Sequence, residues 1–146
     1  MKKTPDEILG FEYDWLACDE IGNIALFSTA GGGFAPAAFL EDTDKYDEMI
    51  DRLKSQSVTS SAAFAPKLSD GLPNIWKELA ERGIYSFDSD EDGGPYRLIG
   101  VPDKPIKLDK LAGDIAESIK PIRFGKLRFD KVNSITIADF RKNGIK

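Results

Sequence analysis

Tyr13-Asp14-Trp15-Leu16-Ala17-Cys18-Asp19-Glu20-Ile21-Gly22-Asn23-Ile24-Ala25-Leu26-Phe27-Ser28 contains two short apolar runs separated by a polar turn. Aromatic and branched residues in runs of this length, bounded by turn residues, read as strands. Gly22 and Asn23 tolerate the positive φ angles of a short loop with a bulge, so the stretch predicts a β-hairpin. Apolar side chains occupy both alternating positions of each run. Both faces are therefore covered, and the two strands are central in their sheet.

Outward from the hairpin, Gly31-Gly32-Gly33-Phe34-Ala35-Pro36 reads as a flexible connection. Residues 43–54 then place Tyr46, Met49, Ile50 and Leu53 at i, i+3, i+4 and i+7, the spacing of an amphipathic helix. Asp42 or Thr43 suits its N-cap, and Asp44, Glu48 and Asp51 line the opposite face. Residues 55–61 read as a surface loop or an edge strand. A second helix is expected over 72–82, with Leu72, Ile75, Trp76 and Leu79 as its stripe, Pro73 in its first turn and Gly83 as its stop. Ile84-Tyr85-Ser86-Phe87 and Tyr96-Arg97-Leu98-Ile99-Gly100-Val101 flank an acidic turn and predict a second hairpin. Residues 108–119 suggest a short helix broken at Gly113, and residues 122–124, 127–129 and 132–137 read as further strands. Consecutive hairpins interrupted by helices, without regular strand–helix alternation, imply an α+β fold. The expectation is one domain over residues 1–146: a mostly antiparallel, twisted sheet of about five to seven strands with two or three helices.

Composition removes many functions. The 146 residues include no histidine and one cysteine, so Ser-His-Asp triads, Cys-His dyads, imidazole zinc ligands and internal disulfides are all excluded. No apolar run approaches the roughly 18 residues of a membrane-spanning helix, and residues 1–8 lack the apolar core of a signal peptide. A cytoplasmic location is therefore expected.

The net charge of −5 conceals an asymmetry. Residues 1–100 hold 19 acids and 9 bases, whereas residues 101–146 hold 6 acids and 11 bases. Between residues 4 and 44 there is no lysine or arginine. Such a surface repels phosphate, which argues against direct nucleic-acid binding and in favour of a basic protein partner.

Asp88-Ser89-Asp90-Glu91-Asp92-Gly93 resembles the opening of a calcium loop, but the position that needs a bidentate glutamate holds Ile99, and strands flank the segment. An acidic hairpin tip is the better description. The triple glycine lacks the lysine and hydroxyl residue of a phosphate loop. Cys18 lies in an apolar run with no base beside it and reads as inert core. Glu12, Asp14 and Asp19 are close enough in sequence for carboxylate chemistry, yet nothing singles them out among 25 acids. Trp15 and Trp76 fit the periodic apolar pattern of the core. Phe34 and Phe39 fall in loops beside Glu41 and Asp42, the composition of an aromatic interface anchor ringed by charge.

The order Phe11-Glu12-Tyr13-Asp14-Trp15-Leu16-Ala17, Asp19, Gly22-Asn23-Ile24-Ala25-Leu26-Phe27-Ser28, then the glycines and Pro36, resembles bacterial immunity proteins of contact-dependent growth inhibition and polymorphic toxin systems. A weaker echo runs from Tyr96-Arg97 to Pro102 and through Pro105-Ile106-Lys107-Leu108-Asp109-Lys110-Leu111. The resemblance implies a non-enzymatic protein that binds one cognate toxin and blocks its active site or substrate surface, with no cofactor. It carries over no binding residues. Charge and aromatic placement alone nominate Phe34, Phe39, Glu41, Asp42, Asp44, Glu48 and Asp51 around the first helix, and Asp88, Asp90, Glu91 and Asp92 on the hairpin tip. The expected function is neutralisation of a basic nuclease toxin. The alternatives are an acidic protein-binding or regulatory module outside toxin systems, and a small carboxylate-dependent enzyme.

Overall fold

In the computed structural model, which describes residues 1–69 and 71–146, strands β1 (Asp14–Asp19) and β2 (Ile24–Ser28) form the expected antiparallel hairpin. Its turn is organised by Asp19, which is 1% exposed. One carboxylate oxygen accepts the backbone N–H groups of Ile21 at 3.0 Å and Asn23 at 2.8 Å. The other accepts the Asn23 side-chain amide at 3.1 Å and the Phe129 N–H at 2.8 Å. A buried carboxylate is tolerated when its lone pairs are filled in this way. Gly22, at φ +83, takes the left-handed position of the turn.

The remaining strands are β3 (Ala62–Phe64), β4 (Tyr85–Asp88), β5 (Tyr96–Pro102), β6 (Arg123–Phe124) and β7 (Ser134–Ile135). The sheet order is β3-β5-β4-β2-β1-β6, with β7 also against β5. Four of the six strand pairings are antiparallel, while β2–β4 and β1–β6 are parallel. The single-domain α+β reading stands, with a mixed sheet. A parallel neighbour needs a crossover, and the chain between β2 and β4 supplies one containing helices α2 (Ala37–Leu40), α3 (Thr43–Lys54) and α4 (Ile75–Ala80).

Helix α3 spans the expected residues, with Asp42 accepting the Lys45 N–H as its cap and Tyr46, Met49, Ile50 and Leu53 buried. The second expected helix shrinks to α4. Asn74 caps it by accepting the Lys77 N–H at 3.1 Å, leaving Leu72 and Pro73 outside and Leu72 60% exposed. Residues 108–119 divide into a 3₁₀ turn and α5 (Gly113–Ile119), which begins at the glycine expected to break it. Residues 127–129 form no strand, and the one expected over 132–137 is reduced to β7. Among the described residues six helices replace the expected two or three because α1 (Pro5–Ile8), α2 and α6 (Ile137–Lys142) are too short to show an apolar stripe. Both α1 and α6 carry capping boxes, Thr4 with Glu7 and Thr136 with Asp139, which satisfy orphan N–H groups at their starts.

Strand alternation divides the core in two. On one side Trp15 stacks on Phe27 with centroids 4.1 Å apart, and Phe27 stacks on Phe87 at 5.1 Å and Phe124 at 5.7 Å. Tyr96, Phe129 and Phe140 complete this aromatic layer, and the Trp15 indole N–H reaches the Tyr96 hydroxyl at 3.2 Å. The alternate residues Leu16, Cys18, Ile24 and Leu26 are buried on the opposite side, and α3 packs against β1 while α4 packs against β4 and β5. Burial raises the pKa of the Cys18 thiol, in keeping with its expected place in the core.

Candidate functional site

The parallel pairing of β2 with β4 brings three polar residues into one row at one end of the sheet. Asp14 starts β1 opposite Ser28, and Ser28 ends β2 opposite Asp88, which ends β4. The Ser28 hydroxyl accepts the Trp76 indole N–H at 3.4 Å. Burial raises the Asp14 pKa, and the nearby charges of Asp47 and Glu12 raise it further. Asp88 is raised chiefly by burial and then by Glu12, Asp14 and Asp90. Asp47, on α3, is raised by burial and by Asp44 and Asp51. These neighbours connect the hairpin tip through the strand row to the exposed face of α3. Two acidic segments separated by about forty residues in the chain thereby come within electrostatic reach of a common set of carboxylates, Glu12, Asp14 and Asp47.

Among the described residues, no cation lies within ion-pair distance of Glu12, Asp14, Asp47, Glu48, Asp51, Asp88, Glu91 or Asp92. The other nominated acids already have partners. The Met1 ammonium lies against Asp42 and Asp44, and Lys2 reaches Glu41 at 3.6 Å. Bonding to that ammonium holds the Asp42 carboxyl below its ordinary range. Asp90 accepts the backbone N–H groups of Asp92 at 2.9 Å and Gly94 at 3.0 Å and pairs with Arg97, so it closes the hairpin tip. These bonds lower its pKa. No group of three or more acidic or thiol side chains among the described residues is arranged to hold a metal ion.

Of the two aromatic nominations, that of Phe39 is corrected. Phe39 is fully buried in α2, edge-on to Tyr46 and Tyr13, because a one-turn helix needs an apolar face just as a long one does. Phe34 is half-buried against Phe140, with ring centroids 4.7 Å apart, and its carbonyl accepts the Tyr96 hydroxyl at 2.6 Å. Its ring borders two hollows of about 220 and 230 Å³. Leu9 and Phe11 are 62% and 65% exposed, and Met1 beside Asp42 and Ile137 beside Phe34 are exposed as well. Phe11 stands directly before Glu12 and outside the strand alternation, a signal available in the sequence.

The triple glycine is a socket rather than a flexible connection. A Cβ on Gly32 would collide with the backbone oxygens of Glu91 and Asp90, and one on Gly33 would lie 2.7 Å from the Tyr96 hydroxyl. Gly31 adopts φ +93, and Ala30 before it φ +52. The acidic tip therefore rests on a backbone surface that side chains would block.

No family model, no curated protein and no solved structure matches the chain. Among the described residues it is a single-domain α+β protein with a mixed seven-stranded sheet and, at one end, a row of carboxylates without ion-pair partners. No helix in the described residues is long and apolar enough to cross a membrane.

Proposed function

We propose that this chain is a bacterial immunity protein that acts in the cytoplasm by binding the nuclease domain of a cognate toxin. Its acidic end presents carboxylates where a basic active site or substrate surface receives phosphate. The observation that carries this reading is the row Asp14–Ser28–Asp88 and its neighbours Glu12 and Asp47. Like charges held together without cations repel one another until an external lysine or arginine arrives. Their role is therefore to speed association and select the partner, whereas buried apolar contacts supply much of the affinity. The resemblance of residues 11–36 to immunity proteins supplies the biological context, and the missing histidines fit a protein that occupies another protein's site.

The test is titration against the C-terminal domain of the protein encoded directly upstream, with that domain's nuclease activity measured in parallel. Wild type is expected to bind and inhibit it. The exposed triple variant Glu12→Lys, Asp47→Lys and Glu91→Lys is expected to bind about 100-fold more weakly, mainly through slower association, with a flattened salt dependence. Absence of a complex at micromolar protein would overturn the toxin assignment. Equal binding by the triple variant would remove the acidic end from the interface.

A further inference from the structure

At the turn end of the first hairpin, away from the acidic end, a hollow of about 300 Å³ lies between that turn, the 3₁₀ turn Leu108–Lys110 and α5. We infer that it binds a free amino acid with a branched apolar side chain, taken up as the zwitterion. Ile21, Leu108 and Ala116 form its apolar walls, and Lys107, Asp109 and Lys120 are the charged residues that line it. Sites for small molecules have this make-up, mostly apolar with a few polar groups that fix the orientation of the ligand.

The three charges select the occupant. Lys120 is paired with Glu117 at 2.7 Å. Lys107 has a neutral partner, since its ammonium donates to the Asn23 side-chain oxygen at 2.7 Å. Among the described residues, no carboxylate lies within ion-pair distance of Lys107, and no cation lies within that distance of Asp109. Glu20, Lys110 and Arg123 stand on the bordering segments but outside the lining. One cation and one carboxylate therefore face an apolar hollow without neutralising each other. A ligand bearing only a carboxylate would leave Asp109 facing like charge, and one bearing only an ammonium would do the same to Lys107. An uncharged ligand would strip water from both and return nothing. A zwitterion answers both, its carboxylate toward Lys107 and its ammonium toward Asp109, while its side chain covers the apolar walls. These walls are also set before binding. The Leu108 N–H donates to the Gly22 carbonyl at 2.8 Å, and Lys107 is bridged to Asn23, which is 1% exposed and donates in turn to Asp19 at 3.1 Å. Little conformational freedom remains to be lost on binding, which favours affinity.

The experiment is an NMR titration of the full chain at neutral pH with L-leucine and three analogues. Leucine is expected to shift the backbone amides of Gly22, Leu108 and Ala116 saturably, with a Kd of about 1 mM. Isocaproate lacks the ammonium, leucinamide the carboxylate and glycine the side chain. Each is expected to bind at least about tenfold more weakly, the worth of one charged hydrogen bond or one buried side chain. Asp109→Asn, which alters an exposed side chain, is expected to erase the preference for leucine over isocaproate and to leave the urea unfolding midpoint in place. Absence of saturation at about 20 mM leucine would overturn the inference. So would isocaproate or leucinamide binding as tightly as leucine, or the full preference surviving in Asp109→Asn.

Discussion

Strands β1 and β2 run between two ends that treat charge in opposite ways. At the turn end, cations and anions are matched. Lys107 reaches the Asn23 side chain at 2.7 Å, Arg123 the Glu20 carbonyl at 3.3 Å, Lys120 pairs with Glu117 at 2.7 Å, and Arg128 with Asp130 at 2.7 Å. Asp130 is held below its ordinary range by Arg128. At the other end Asp14, Asp47 and Asp88 are raised, burial being the main cause and neighbouring carboxylates adding to it. The turn end is arranged for the stability of the chain itself. The acidic end sacrifices some stability, the pattern expected where a surface is kept for a partner.

The largest expected effect lies at the turn end. Asp19→Ala removes the acceptor of four N–H groups, three from its own turn and one from distant Phe129, and is expected to cost at least ~3 kcal/mol in urea unfolding. A cost under about 1 kcal/mol would mean that the turn end is not the electrostatic anchor described above. Next comes Gly32→Ala, where the added methyl must displace the backbone of the hairpin tip. A loss of about 1–3 kcal/mol is expected, together with moved amide resonances at Asp90 and Glu91. Unchanged stability and spectra would show that the tip is not seated on the socket.

The smallest effect has the opposite sign and sharpens the contrast most. Asp14→Asn with Asp88→Asn is expected to stabilise the free protein by about 0.5–1 kcal/mol at neutral pH while weakening partner binding. A carboxyl whose folded pKa is raised contributes stability that is fully present below its unfolded pKa and is lost as pH rises through the folded value. Starting near the ordinary value of 3.8, the gain from the double variant should therefore appear as pH rises above that value and vanish below it. Asp130, whose pKa is lowered, has the reverse dependence: its contribution is present above its unfolded pKa and is lost as pH falls through the folded one. A double variant less stable than wild type at neutral pH would place both ends under the same electrostatic regime.

The first hairpin and α3 were readable because their signals are local: period-two and period-3.6 apolar patterns with suitable turn and cap residues. The two parallel pairings were not, since nothing within β2 or β4 states which strand lies alongside it. Of the site, the acidic segments around α3 and at the hairpin tip were visible as composition. Their union was hidden because it depends on the β2–β4 pairing, and so were the bridging roles of Glu12, Asp14 and Asp47. Phe39 was misread because α2 has only four residues, too few to display a stripe. The triple glycine looked like slack chain because the tip that rests on it arrives from some sixty residues away.

The Trp76 indole, bonded to Ser28 at the acidic end, makes the protein its own optical sensor. The other tryptophan, Trp15, is sealed within the aromatic stack and contributes a constant background. Emission from Trp76 will respond when a partner's cation settles beside Asp14 and Asp88, so association can be followed in real time without attaching a dye.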